Sequence, residues 1–141
     1  MKKLLTLFAV TTLLLVACKK DEKIEKNLWK GDGIWNIESY HSSETSSDGS
    51  SDFSETISNV GTFTFKKDGT GIVKFVYDGD VDMTSFSYSN TTETLTLTID
   101  GEQRIFAMDW KKNKMTLSIT ESYSSGGVSY TYTEKMELSK Q

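Results

Sequence analysis

From Trp29 to the carboxyl end, polar and apolar side chains alternate with a period of two. The runs at 62–66, 94–99 and 115–120 show the pattern most clearly, with aromatic or aliphatic residues at every second position. Successive side chains of a β-strand point to opposite faces of the sheet, so each run predicts a strand with one dry and one wet face. Because this period continues to the end of the chain, we expect an all-β fold.

Turn signals of the hairpin kind separate these runs, namely Asp-Gly at 68–69, 78–79 and 100–101, Lys-Asn at 112–113 and Gly-Gly at 126–127. The predicted strands lie near residues 33–41, 60–67, 70–77, 83–90, 93–100, 103–111, 114–122 and 128–139, with 51–58 as a candidate extension of the second. Eight strands without helices between them predict a single antiparallel up-and-down barrel, because closure removes both exposed edges. A two-sheet sandwich is the alternative.

Composition agrees with one small folded domain. Of the 141 residues, 36% are hydrophobic and 26% are charged, which lies in the range of folded domains. The absence of proline and a mean hydropathy of -0.41 exclude collagen-like, proline-rich and multi-span membrane proteins.

The amino-terminal residues have the organisation of a secretory signal. Lys2 and Lys3 precede an apolar run over residues 4–16, which is shorter than the roughly 20 residues that a transmembrane helix needs. Residues 1–17 are therefore predicted to be a cleaved signal peptide. Its removal changes the formal charge from -4 to -6, because both lysines are lost, and so acidic a chain is not expected to bind nucleic acid.

The segment Leu15-Val16-Ala17-Cys18 resembles the lipobox of bacterial lipoproteins, in which diacylglycerol is attached to the cysteine sulfur and cleavage occurs just before it. The resemblance implies lipidation at Cys18 and an amide-linked acyl chain, such as palmitate, on the new amino terminus. Two or more chains anchor a protein stably to its membrane. The alternative is an ordinary secretory peptide in which the single cysteine is accidental.

Residues 18–27 are predicted to be a lipidated, charged tether. Lys19 is not the aspartate that holds enterobacterial lipoproteins in the inner membrane, which favours the outer membrane. The run at 20–22 also resembles a surface-export signal, a lysine followed by two acids, although a solvated tether explains it equally. Extended, the tether would reach about 30 Å; alternatively, Ile24 and Leu28 are four apart and could face the domain from one or two helical turns.

Gly33-Ile34-Trp35 resembles the start of lipocalins and of lipocalin-like bacterial lipoproteins, and the hairpin at 62–71 resembles their phenylalanine-rich strand and Asp-Gly-Thr-Gly turn. The resemblance covers about residues 28–139. It implies a lipocalin-like barrel domain over 28–141, with Trp35 plugging the closed end. Two lipocalin features are missing, a late turn motif and an arginine after the last strand that stacks on the tryptophan. Arg104 lies on the predicted sixth strand, which leaves Lys135 as a guess for that role.

An eight-stranded barrel is just wide enough to be filled by side chains or to hold one small ligand. Glu134 continues the apolar face of the last strand, so it would need Lys74, Arg104 or a polar ligand as its partner. The candidate interior and ligand-binding residues are Trp35, Phe63, Phe65, Phe75, Tyr77, Phe86, Tyr88, Leu97, Phe106, Met108, Trp110, Leu117, Tyr130 and Tyr132.

The serine-rich segment at 42–58 allows two interpretations. It is either a flexible hydrophilic loop or a lid that tucks Phe53 and Ile57 over the mouth of the barrel.

The sequence shows no catalytic signature, no cofactor motif and no metal motif. His41 is the sole histidine, and its neighbour Ser42 would point to the opposite face of a strand. The aspartates at 78–82 start like a calcium loop, but Met83 and Ser89 stand where such a loop needs glycine and glutamate. We therefore expect no enzyme. The expected role is an outer-membrane lipoprotein that binds a small apolar or amphipathic ligand at the cell envelope. The alternative is a structural lipoprotein with a filled barrel, whose loops meet an envelope or surface protein.

Lipidation at Cys18 predicts that the Cys18→Ser variant changes its location in the cell. We expect release into a soluble fraction, or an uncleaved precursor, because no thiol remains to carry the lipid. Fractionation of cell membranes with immunoblotting measures this. Normal outer-membrane fractionation of the mature variant would contradict the prediction.

Overall fold

The structure is a computed structural model that describes residues 19–141. The predicted signal peptide at 1–17 and the lipidation site Cys18 lie outside the described residues. Residues 19–29 are helical, and the rest is built from strands and short turns. The strands are β1 (Ile34–Ser46), β2 (Phe53–Phe65), β3 (Thr70–Tyr77), β4 (Asp80–Asn90), β5 (Thr94–Ile99), β6 (Glu102–Lys111), β7 (Lys114–Ser125) and β8 (Val128–Lys140).

The strands form a closed barrel in sequence order, each antiparallel to its neighbours. β8 returns to pair with β1 along the whole length of β1, from Trp35 opposite Lys140 to Ser46 opposite Tyr130. The predicted all-β, eight-stranded up-and-down barrel is confirmed, and the sandwich alternative is wrong. No helix within residues 19–141 is long and apolar enough to cross a membrane.

Most of the segment at 42–58 is strand, and it forms no lid. Ser42 to Glu44 pair with both β2 and β8, and Thr45 and Ser46 continue the pairing with β8. Because β2 begins at Phe53, only residues 47–52 connect the two strands. Asp52 stabilises this turn by accepting a hydrogen bond from the Ser46 amide at 2.7 Å. The predicted lid is therefore wrong: Phe53 is 47% exposed at the end of a strand, while Ile57 belongs to the barrel wall. Two neighbouring strands supply backbone partners whatever the polarity of the side chains.

Trp35 lies buried at the closed end of the barrel, as predicted. Its Nε1 donates a hydrogen bond to the Leu28 carbonyl oxygen at 3.0 Å, which satisfies the polar edge of the indole. The Lys140 ammonium lies 5.3 Å from the ring centre and takes the cationic role for which Lys135 was the guess. Lys135 instead faces outward and pairs with Glu137 at 2.8 Å.

The helix at 19–29 covers this closed end, so the extended form of the tether is wrong for these residues and the helical alternative is confirmed. Ile24 and Leu28 face the barrel and are fully buried with Trp35. At one end Thr92 donates to the Asp21 carboxylate at 2.6 Å, and at the other the Asn27 side chain donates to the Lys112 carbonyl. The helix is thereby attached to two loops of the closed end, the β4–β5 and the β6–β7 connections.

Gly61 allows β2 to approach the backbone of β3 closely. It lies opposite Ile37 on β1 and opposite Phe75 on β3, and its φ is 147°. A Cβ at this position would lie 1.8 Å from the Lys74 carbonyl oxygen, so no side chain fits without movement of the backbone.

Gly61→Ala should therefore lower the free energy of unfolding by about 3 kcal/mol, because the clash is with backbone and cannot be relieved by a rotamer change. Gly49→Ala is the matched control, since that glycine also has positive φ but has open space around it, and its expected cost is about 1 kcal/mol. Urea unfolding measures both values. Equal losses would show that φ alone, and not the close approach, constrains Gly61.

Candidate functional site

The two ends of the barrel differ in how they are closed. The helix, Trp35 and the loop at 91–93 lie at one end. The turns at 47–52, 78–79, 100–101 and 126–127 surround the other end, which we call the mouth. The barrel interior is therefore accessible from the mouth.

Aromatic side chains fill the half of the barrel near the closed end. Phe63 and Phe65 stack with ring centres 5.8 Å apart, and Phe86 packs against both in edge-to-face geometry. Tyr88 completes the group 5.0 Å from Phe65 and donates a hydrogen bond to the Lys66 carbonyl at 2.7 Å. These predicted interior residues form packed core, and none of them lines the cavity near the mouth.

The other residues predicted to face the barrel interior lie in several different places. Phe106, Leu97, Met108 and Leu117 are buried core, and Trp110 packs against it with an Nε1 that has no hydrogen-bond partner among the described residues. Tyr130 stacks on Tyr123 at the rim of the mouth, with ring centres 4.9 Å apart. Of the predicted set, only Phe75, Tyr77 and Tyr132 line the cavity.

A cavity of about 490 Å³ occupies the half of the barrel near the mouth. Its walls are mainly apolar and aromatic, and a few polar groups point into it. The lining residues are Tyr40, Ile57, Val60, Phe75, Val76, Tyr77, Asp82, Arg104, Tyr132 and Glu134.

An ion pair lies in the cavity wall. Arg104 Nη2 donates to Glu134 Oε2 at 2.7 Å, and the Glu134 side chain is only 7% exposed. Burial opposes the charged guanidinium, but the hydrogen bond and charge of Glu134 outweigh it and raise the pKa of Arg104. The inward orientation predicted for Glu134 is confirmed, and Arg104 rather than Lys74 is its partner, because Lys74 points to the outer face opposite Thr62.

Tyrosine hydroxyls and the Asp82 carboxylate provide further polar groups in the cavity. Ser42 contacts the Tyr132 hydroxyl at 3.4 Å, and Tyr40 packs edge-to-face on Phe75 with ring centres 6.0 Å apart. Burial raises the pKa of Tyr40 far above its usual value, and the Tyr132 hydroxyl and the charge of Glu134 act in the same direction. Tyr40 therefore presents a neutral hydroxyl to the cavity at physiological pH.

Sequence reasoning missed Tyr40 and Val60 because irregular pairing shifts the alternation of inner and outer residues. Ile37 lies opposite Leu138 and Ser39 lies opposite Glu137, so Glu38 is an extra residue on β1 relative to β8. The bulge places Ile37 and Tyr40, three apart, on the same face. The one signal was Tyr40 itself, an aromatic residue out of phase with the run before it.

The site has no arrangement of a nucleophile and a base. His41 lies on the outer face, where its Nδ1 contacts Thr56 at 2.9 Å. Within residues 19–141, no three His, Cys, Asp or Glu side chains lie close enough together to hold a metal ion. The arrangement offers apolar contact and a few oriented polar groups to a bound molecule.

Comparisons with known proteins gave no match. No protein-family model matches the chain, and neither the curated proteins nor the solved structures contain a match to it.

The ion pair predicts a specific pattern of stability. Arg104→Met should lower the free energy of unfolding by about 3 kcal/mol, because it leaves the Glu134 carboxylate buried without its partner. The double variant Arg104→Met/Glu134→Leu should recover most of this loss, since apolar contacts replace both charges. Urea unfolding of the two variants measures the difference.

Lys111→Met is the matched control, because it breaks a pair with Asp109 in which both side chains are mostly exposed. Its expected effect is below about 0.5 kcal/mol. If the double variant were as unstable as Arg104→Met, the loss would come from packing of the arginine and not from the unpaired carboxylate.

Proposed function

We propose that this chain is an outer-membrane lipoprotein, anchored through Cys18, whose barrel binds a small apolar or amphipathic ligand at the cell envelope. The cavity near the mouth is the observation that carries the proposal. Its volume of about 490 Å³ lies within the range of about 300–1,000 Å³ that small-molecule sites occupy.

The composition of the cavity supports this proposal. Tyr40, Ile57 and Phe75 provide apolar surface, and the hydroxyl of Tyr132 and the charges of Arg104 and Glu134 provide orientation. Small-molecule sites combine apolar walls with a few placed polar groups in the same way. Because the closed half is already filled with aromatic rings, it supplies core stability without help from a ligand.

The helix at 19–29 lies between the proposed anchor and the closed end of the barrel, so it determines which way the cavity faces. Residue 18 directly precedes the helix at 19–29, which contacts the closed end at Asp21 and at Asn27. A lipid on Cys18 would hold the closed end against the membrane, so the mouth would face away from it. On this proposal, ligand exchange takes place with the aqueous side or with another protein.

A second candidate is binding of another protein at the hairpin of β3 and β4. Val76, Val81 and Met83 expose large apolar side chains on the outer face there, with exposed fractions from 37% to 61%. Grouped exposed apolar residues favour protein contacts. This candidate corresponds to the alternative of a structural lipoprotein that meets an envelope or surface protein, with the contact surface at β3 and β4.

Native mass spectrometry of the delipidated protein purified from its own cells tests ligand binding. We expect a defined additional mass that disappears after organic extraction, because a cavity with these walls retains an apolar molecule through purification. A bare protein that captures one envelope partner would instead support the second candidate.

Two tryptophan variants make the test specific to the cavity. Ile57→Trp should abolish the additional mass, because the indole fills space that the wall leaves open. Ile105→Trp is the matched control on the outer face, where the native side chain is 56% exposed, and it should retain the mass. Retention by both variants would place the bound molecule outside the cavity.

A further inference from the structure

Carboxylates surround the cavity on the inner face of the barrel. Residues directly opposite each other on paired strands share a face, so the register places each acid. Asp82 lies opposite Phe75, and both Glu44 and Glu121 lie opposite Tyr132. The further acids on this face are Glu55 opposite Ser42, Asp80 opposite Tyr77, and Glu102 two residues before Arg104.

Positive charge on the same inner surface is confined to one side chain. Within residues 19–141, Arg104 is the only arginine or lysine whose register position faces the mouth half of the interior. Its guanidinium is bound to Glu134 at 2.7 Å and lies 5.3 Å from the centre of the Phe106 ring. Lys74 and Lys135 belong to these strands but point to the outer face.

The turns around the mouth add charge of the same sign. Their acids are Asp48, Asp52, Asp78 and Asp100, and they contain no arginine or lysine. Like charges placed around one opening add to a negative field over it. The field favours entry of a cation and opposes entry of an anion.

The cavity walls provide contacts that suit an organic cation. The rings of Tyr40 and Phe75 pack edge-to-face in the wall, and Tyr77 and Tyr132 also line the cavity. Aromatic faces attract ammonium groups, and the attraction increases where water is excluded. The Asp82 carboxylate lines the same cavity and can pair with the charge.

We propose that the cavity takes an amphipathic cation, an apolar body that carries a protonated amine or a quaternary ammonium group. The inference rests on the proposed ligand-binding function and specifies its ligand class. An anionic amphiphile would have to pass the acidic mouth and displace Glu134 from Arg104. A neutral apolar molecule would fill the cavity but would gain nothing from the field.

Three probes with the same eight-carbon tail test the proposal: octyltrimethylammonium, octyl glucoside and octyl sulfate, each below its micelle concentration. Isothermal titration calorimetry would use the mature Cys18→Ser protein, which leaves every described residue in place. We expect the cation to bind about tenfold more tightly than the neutral glucoside, and octyl sulfate to bind more weakly than both. Raising the salt from about 0.05 M to about 0.5 M should shrink the advantage of the cation, because it shortens the screening length.

Matched variants locate the effect. Asp82→Asn should weaken binding of the cation about threefold and leave the glucoside unchanged. Asp109→Asn, an exposed acid outside the cavity, should change neither. Binding of the sulfate or glucoside as tightly as the cation would overturn the charge preference and leave the proposed function standing. If none of the three probes bound, the proposed ligand-binding function itself would fail.

Discussion

The pairing of β1 with β8 is the constraint on which the rest of the structure depends. β1 pairs on one side with β2 and on the other with β8, and the two ladders overlap over residues 35–44. Without the second ladder the sheet would have two open edges and no interior. With it, every strand has one face toward a common axis, and Trp35 becomes a plug instead of an exposed aromatic residue. The bulge at Glu38 belongs to this closure, because it shifts the register of β1 relative to β8.

The sequence predicted the barrel because its strongest signals, alternation and turn dipeptides, are local. The turns at 68–69, 78–79 and 100–101 lie between strands as predicted. The segment at 42–58 was misread because alternation reports contact with a dry interior, and near the mouth both faces of β1 and β2 meet water. Serine and threonine therefore look like a loop there, although two neighbouring strands satisfy their backbone groups.

The cavity was only partly predictable, because alternation reports the face of the sheet and not the position along the barrel axis. Phe65 and Tyr77 have the same inward phase, yet Phe65 is buried near the closed end while Tyr77 is 58% exposed near the mouth. The partner of Glu134 depended on long-range register for the same reason, since Lys74 and Arg104 lie on different faces of strands distant in sequence. Tyr40 was missed because the one-residue bulge at Glu38 reverses which alternate side chains of β1 point inward.

Charged residues and the packed core are distributed unevenly along the barrel axis, and the packed core makes the distribution of charge tolerable. Lysines are concentrated at the closed end, including Lys26 on the helix, Lys67 beside Trp29, and Lys112 in the turn that Asn27 contacts. A barrel stabilised by the aromatic core of its closed half can tolerate mutual repulsion among carboxylates at the mouth, where solvent screens them. The opposite arrangement would bury the acids and leave the aromatic rings in water. If the anchor lies at Cys18, the lysine-rich end faces the membrane surface, and the acidic mouth is held on the aqueous side.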